Sequence, residues 1–133
     1  MRPVKVVMPQ PPPVQKKILV VDDEPAVCDT IKMLLEFDGH EVVAAADGSG
    51  AIALFEQNRF DLVITDYTMP GMMGDKLAQR IKAAKPEQPV IMLTAHAEML
   101  LSRATPLTGV DQLVSKPFQL AELRRAIQQV MEV

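Results

Sequence analysis

At 133 residues the chain is the size of one ordinary domain, long enough to bury a core without disulfides or a structural metal. Its 14 Lys and Arg against 17 Asp and Glu give a formal charge of -3, which argues against a nucleic-acid or membrane surface and requires any anionic ligand to be held locally. Cys28 is the single cysteine, excluding an internal disulfide and fitting a reducing compartment. No apolar run approaches the roughly 18 residues of a membrane span. Val4 to Met8, interrupted by Lys5, is too short for a signal core, so a soluble cytoplasmic protein is expected.

Residues 1–15 hold Pro3, Pro9, Pro11, Pro12 and Pro13. That density forbids helix and lacks sheet donors, so an extended or disordered tail is expected, with Pro9 and Pro12 in a P-x-x-P spacing and the folded domain covering 16–133. Ile18 to Val21 reads as a first strand ending in Asp22-Asp23. Pro25 suits the first position of a helix whose Val27, Ile31, Leu34 and Leu35 share one face up to Gly39. Glu41 to Ala46 forms a second strand, and a second helix runs through Ala51, Leu54 and Phe55 to a stop near Asn58. Leu62-Val63-Ile64 suits a strand buried on both faces, ending at Asp66 before a Met-Pro-Gly turn. A third helix follows Gly74, burying Leu77 and Ile81 as far as Pro86, and Pro89 to Leu93 is a fourth strand leading into Thr94-Ala95-His96. Met99 and Leu100 indicate a short helix that Pro106 and Gly109 limit to about two turns. Gln112 to Ser115 is a fifth strand, and the last helix, from Leu120 to the end, buries Leu120, Leu123, Ile127, Val130 and Met131.

Strict alternation of strand and helix predicts an α/β domain with a parallel five-stranded sheet and helices on both faces. Right-handed crossovers with a reversal of winding after the second strand give the order 2-1-3-4-5. A crevice then opens above the carboxyl ends of the strands, where Asp22, Asp23, Asp66, Thr94 and Lys116 collect. Each has an ordinary use: Asp22 or Asp23 as a helix cap, Asp66 or Thr94 as a turn residue, Lys116 as a solvated cation. Together they make a charge problem, since carboxylates about 5 Å apart repel by roughly 3 kcal/mol per pair at an effective dielectric of 20. A hard divalent cation offsets it, and few carboxylates plus waters suit Mg2+ better than Ca2+. A carboxylate beside Mg2+ and a lysine can attack phosphorus in line, and the Thr94 hydroxyl can then donate to the new phosphoryl oxygens.

The stretches VVDDEP at 20–25, DLVITDYTMPGM at 61–72, VIMLTAHA at 90–97 and VSKPF at 114–118 resemble the receiver domain of bacterial two-component response regulators, over residues 16 to 132. The resemblance implies a flavodoxin-like (βα)5 fold, with Asp66 as phospho-acceptor. It implies Asp23, Asp66 and the backbone carbonyl of Thr68 as direct Mg2+ ligands, Asp22 acting through a water, Lys116 contacting the phosphoryl group, Thr94 as switch hydroxyl and a cis Lys116-Pro117 bond. The implied partners are a sensor histidine kinase or histidine phosphotransfer protein and an unidentified downstream protein, without direct nucleic-acid or membrane contact. No dedicated enzyme activity is implied beyond the domain's own phosphorylation and slow autodephosphorylation, with Thr68 and His96 tuning water access.

Three departures stand out. Leu113 occupies the place of an aromatic ring that commonly relays the switch, Met73 adds apolar surface beside the site, and Met99-Leu100-Leu101 spreads apolar residues around a short helix, a dimer or partner surface if exposed. Leu113 supports a rival reading, a binding scaffold that does not use phosphorylation; the intact acidic pair, Asp66, Thr94 and Lys116 oppose it. A metal-dependent phosphatase is disfavoured because Thr68 stands where a second carboxylate would be the general acid. The pattern stops with the last helix, which fits a stand-alone receiver or one cut from a longer protein.

Overall fold

The computed structural model describes residues 2–6 and 15–131. Residues 2–6 carry no helix or strand, while most of the expected tail, including the P-x-x-P spacing, and the last two residues of the expected final helix lie outside the described residues. The elements alternate as β1 (Lys17–Val21), α1 (Pro25–Phe37), β2 (Glu41–Ala45), α2 (Gly48–Gln57), β3 (Leu62–Asp66), α3 (Gly74–Ala84), β4 (Val90–Thr94), α4 (Ala97–Leu101), β5 (Gln112–Ser115) and α5 (Leu120–Met131). All four strand pairings are parallel, in the order β2-β1-β3-β4-β5. This is the expected flavodoxin-like arrangement.

Alternation along β1 divides the core. Ile18 and Val20 join Ile31 and Leu35 of α1 and Leu123 and Ile127 of α5 on one face of the sheet. Leu19 and Val21 join Ala51 of α2 and Leu77, Ala78 and Ile81 of α3 on the other. Every residue of β3 and β4 is buried, which is why these two read as unbroken apolar runs. Burying each such aliphatic side chain contributes about 1.5–3 kcal/mol. Phe60, at 1% exposure just ahead of β3, belongs to the second core and carried no periodic signal of its own. Val27, Leu34, Leu120, Val130 and Met131 are only half-buried, so the apolar faces of α1 and α5 extend past the part that touches the sheet.

Local chemistry sets the helix starts. Glu24, not Asp22 or Asp23, is the N-cap residue of α1 and offers no side-chain bond; Asp22 Oδ1 instead accepts the Glu24 N–H at 2.9 Å. Asp47 caps α2 by accepting from the Gly50 N–H at 2.7 Å, a bond of about 1 kcal/mol. Helix α4 has five residues, shorter than the two turns expected. The chain beyond it is committed to α3 and β4. Asp111 Oδ2 accepts from both the Val90 N–H and Lys82 Nζ at 2.8 Å, and Gly109, at φ +83°, lies so close to α3 that a Cβ would sit 3.0 Å from the Ala78 carbonyl.

Gly109→Ala therefore meets both a left-handed backbone and a steric contact, and should cost about 1–3 kcal/mol, read as a lower urea midpoint at unchanged m. A second expectation concerns Asp38, whose carboxyl is held below its ordinary value by the bidentate Arg124 contact at 2.6 and 2.8 Å. A depressed carboxylate contributes stability above its unfolded pKa and loses it as pH falls through the folded one. The gap in melting temperature between wild type and Arg124→Gln should accordingly shrink towards acid pH and stay constant above neutrality.

Candidate functional site

Parallel pairing brings the ends of β1, β3, β4 and β5 to one edge, and backbone hydrogen bonds hold the residues that follow. Asp22 N–H donates to the Ala45 carbonyl at 3.2 Å, Tyr67 N–H to Leu93 at 2.9 Å, and Lys116 N–H to Thr94 at 2.8 Å. Asp22, Asp66 and Thr94 are consequently buried, while Asp23 is half-buried at the rim. Lys116-Pro117 is cis, as expected.

Carboxylate oxygens of Asp22, Asp23 and Asp66 lie within 4.8 Å of one another. Lys116 Nζ sits between two of them, 3.1 Å from Asp66 Oδ1 and 3.2 Å from Asp22 Oδ2. One ammonium cannot balance three carboxylates, and the set is made entirely of hard oxygen donors, so its chemistry fits Mg2+. Burial pushes the Asp66 carboxyl up, with Lys116 pulling it down and the Asp22 charge adding to the rise. Lys116 is opposed by burial too, but its hydrogen bond to Asp66 and the charges of Asp22 and Asp66 prevail and raise it. Both partners moving upward means that for Asp66 desolvation outweighs the ion pair, a carboxylate kept basic and close to a cation.

Thr94 Oγ1 accepts from the His96 N–H at 2.9 Å, leaving the hydroxyl hydrogen free to donate. His96 is exposed in the β4–α4 loop, and Thr68 is exposed two residues beyond Asp66. All six candidate residues thus lie at one edge of the sheet. Leu113 lies half-buried in β5, beside a cavity of about 340 Å3 that it lines with Leu100, Leu101, Pro106, Leu107 and Val110. Of the apolar run in α4, Leu100 is buried while Met99 and Leu101 are 54% and 74% exposed. Met73 is half-buried at the N-cap of α3 and makes no side-chain cap bond.

Two glycines support the site: Gly74, which the sequence marks only as a helix boundary, and Gly48, which it does not single out. Gly74 N–H donates to the Tyr67 carbonyl at 2.7 Å, and a Cβ on Gly74 would overlap the Asp66 carbonyl oxygen and lie 2.9 Å from Tyr67 Cα. Gly48, at the start of α2, is similarly pressed against Met72. Glycine in a helix-start position is a weak signal, and the contact partner is invisible without the fold.

The family model described as response regulator receiver domain matches residues 18–128. Among curated proteins, the chain is 37% identical over 107 residues to the probable transcriptional regulatory protein TcrX of Mycobacterium tuberculosis, covering 80% of this chain and 45% of TcrX. It is 36% identical over 116 residues to the sensor protein GacS of Pseudomonas syringae, covering 84% of this chain and 13% of GacS. The chain therefore spans less than half the length of either relative. Among solved structures, response regulator protein TrrA from Thermotoga maritima, in complex with Mg2+-BeF, superposes with a TM-score of 0.79 at 34% identity, covering 86% of this chain and 98% of TrrA.

The tight packing around Gly74 yields a direct expectation. Gly74→Ala must push α3 away from the end of β3, and should destabilise the fold by about 1–3 kcal/mol in urea titration.

Proposed function

This chain belongs to the response regulator receiver domain family, and on that premise we propose that it is a phosphorylation-dependent signalling switch whose Asp66 accepts a phosphoryl group in a Mg2+-dependent reaction. The observation that carries the reading is the buried Asp66 carboxylate, 3.1 Å from Lys116 Nζ and within 4.8 Å of two further carboxylates. A cluster this costly is expected where it performs chemistry.

The donor is a phosphohistidine on a sensor histidine kinase or a histidine phosphotransfer protein. A groove of about 550 Å3, lined by Ala26, Val27 and Thr30 of α1 and by Lys116, Pro117 and Phe118 after β5, is the surface on which that protein docks. Asp23, Asp66 and the carbonyl of Thr68 would hold the cation directly, and Asp22 would act through a water. Bound Mg2+ would supply positive charge to the transferring phosphoryl oxygens. An Asp66 oxygen attacks phosphorus in line, the bond from phosphorus to the imidazole nitrogen breaks with its electron pair going to nitrogen, and an acyl phosphate results. Lys116 neutralises charge on the phosphoryl group. Thr94 donates its hydroxyl hydrogen to a phosphoryl oxygen and, because it also holds the His96 N–H, draws the β4–α4 loop with it. Thr68 and His96, exposed on either side, govern the access of the water that later hydrolyses the acyl phosphate.

The switched state is read by a downstream protein, with α4 and its exposed Met99 and Leu101 as the contact surface or as a dimer face. The domain acts in the cytoplasm as a unit from Lys16 onward, apart from the proline-rich segment before it. Among the described residues no helix is long and apolar enough to cross a membrane.

Incubation with Mg2+ and acetyl phosphate should add one phosphoryl group at Asp66 by mass spectrometry, and neither chelated protein nor Asp66→Asn should acquire it. Thr94→Ala should still be phosphorylated but lose most of the response. Full switching from 1:99 to 99:1 needs about 5.5 kcal/mol of differential contact energy, and the Thr94 hydrogen bond is part of it. An Asp66→Asn chain that binds its downstream partner as the phosphorylated wild type does would favour the scaffold reading instead.

A further inference from the structure

The loop between β3 and α3 carries Thr68, and Met72 side-chain packing helps to hold it. Met72 is seated in the space left by the missing side chain of Gly48, the buried first residue of α2. A methyl group on Gly48 would lie 2.7 Å from Met72 Sδ, 2.8 Å from its Cβ and 3.1 Å from its Cγ. Rotation about χ1 can move Sδ and Cγ aside, but Cβ is fixed by the backbone, so Ala at 48 must displace the loop or the start of α2. Retreat of α2 is resisted by its packing on β1, β2 and α3. The loop's other end is fixed where Gly74 N–H meets the Tyr67 carbonyl and α3 presses on Asp66. Displacement must therefore appear between Tyr67 and Met73, the stretch that contains the Thr68 carbonyl.

Resting on the reading of Thr68 and Asp66 as cation ligands, we propose that Gly48 and Met72 form a seat that positions the β3–α3 loop for Mg2+, with both acting as positioning residues that never touch the ion. Outer contacts that orient metal ligands typically control affinity by about 10–100-fold.

The protein reports on this loop by itself, because Tyr67 is its only tyrosine and it has no tryptophan. Tyrosine emission should follow Mg2+ titration of the whole chain, alongside thermal melting of each variant. Gly48→Ala should weaken Mg2+ by about 10–100-fold. Adding Met72→Gly to Gly48→Ala removes the overlapping Cβ, so the double variant should bind Mg2+ no more weakly than Met72→Gly alone. General destabilisation makes the two losses multiply, whereas a shared contact leaves the double variant no worse than Met72→Gly. Wild-type affinity in Gly48→Ala, or a double variant whose loss equals the product of the two single losses, would overturn the seat. If Gly48→Ala does not fold, Met72→Gly decides: affinity unchanged from wild type overturns the seat, and a loss of about tenfold supports it. Wild type that binds no Mg2+ overturns the ligand reading and the seat with it, an outcome distinct from wild-type binding with no variant effect.

Discussion

Keeping the Asp66 carboxylate inside the protein, beside two others, is the constraint on which the rest of the structure depends. Burial alone makes its charge expensive, and the Asp22 charge adds to the cost. The Lys116 ammonium, held between Asp66 and Asp22 at 3.1 and 3.2 Å, is the chain's own answer. It comes from the far end of the sequence, so the site exists only when β5 is docked against β4, which is docked against β3. Site integrity and sheet integrity are one condition.

That coupling explains why β3 and β4 are buried over their whole length. A strand packed on both faces cannot slide without exposing apolar side chains on one of them, so the carboxylate at its end is held to the tolerance of the core. The loop beyond β3 has no such core around it. Its position comes instead from close approach, with α3 laid against the Asp66 backbone at Gly74 and Met72 lodged over Gly48. Rigid strand and clamped loop together present Asp66 and Thr68 as one surface.

Position 113, in β5, carries Leu113 and no aromatic ring. Leu113 has no hydroxyl to exchange, and it lines a cavity shared by Leu100 and Leu101 of α4 with Asp111 and Gln112. Leu100, the one buried member of the α4 apolar run, lines the same cavity. The segment after α4 is anchored to α3 and β4 through Gly109 and Asp111.

The sequence by itself determined the central strands β3 and β4, because unbroken apolar runs suit burial on both faces, and most of the helices, because their apolar spacing is helical. It also determined which polar residues stand at the strand ends, since each interrupts an apolar run abruptly. The strand order followed from winding rules. What it could not supply were contacts between segments distant in the chain: Lys116 bridging two aspartates, Asp111 reaching Lys82, Met72 resting on Gly48. Nor could it tell that α4 would stop after five residues, since tertiary anchoring of the following segment overrides local propensity. Periodicity records which face of an element is buried, and only the packed structure records what that face is buried against.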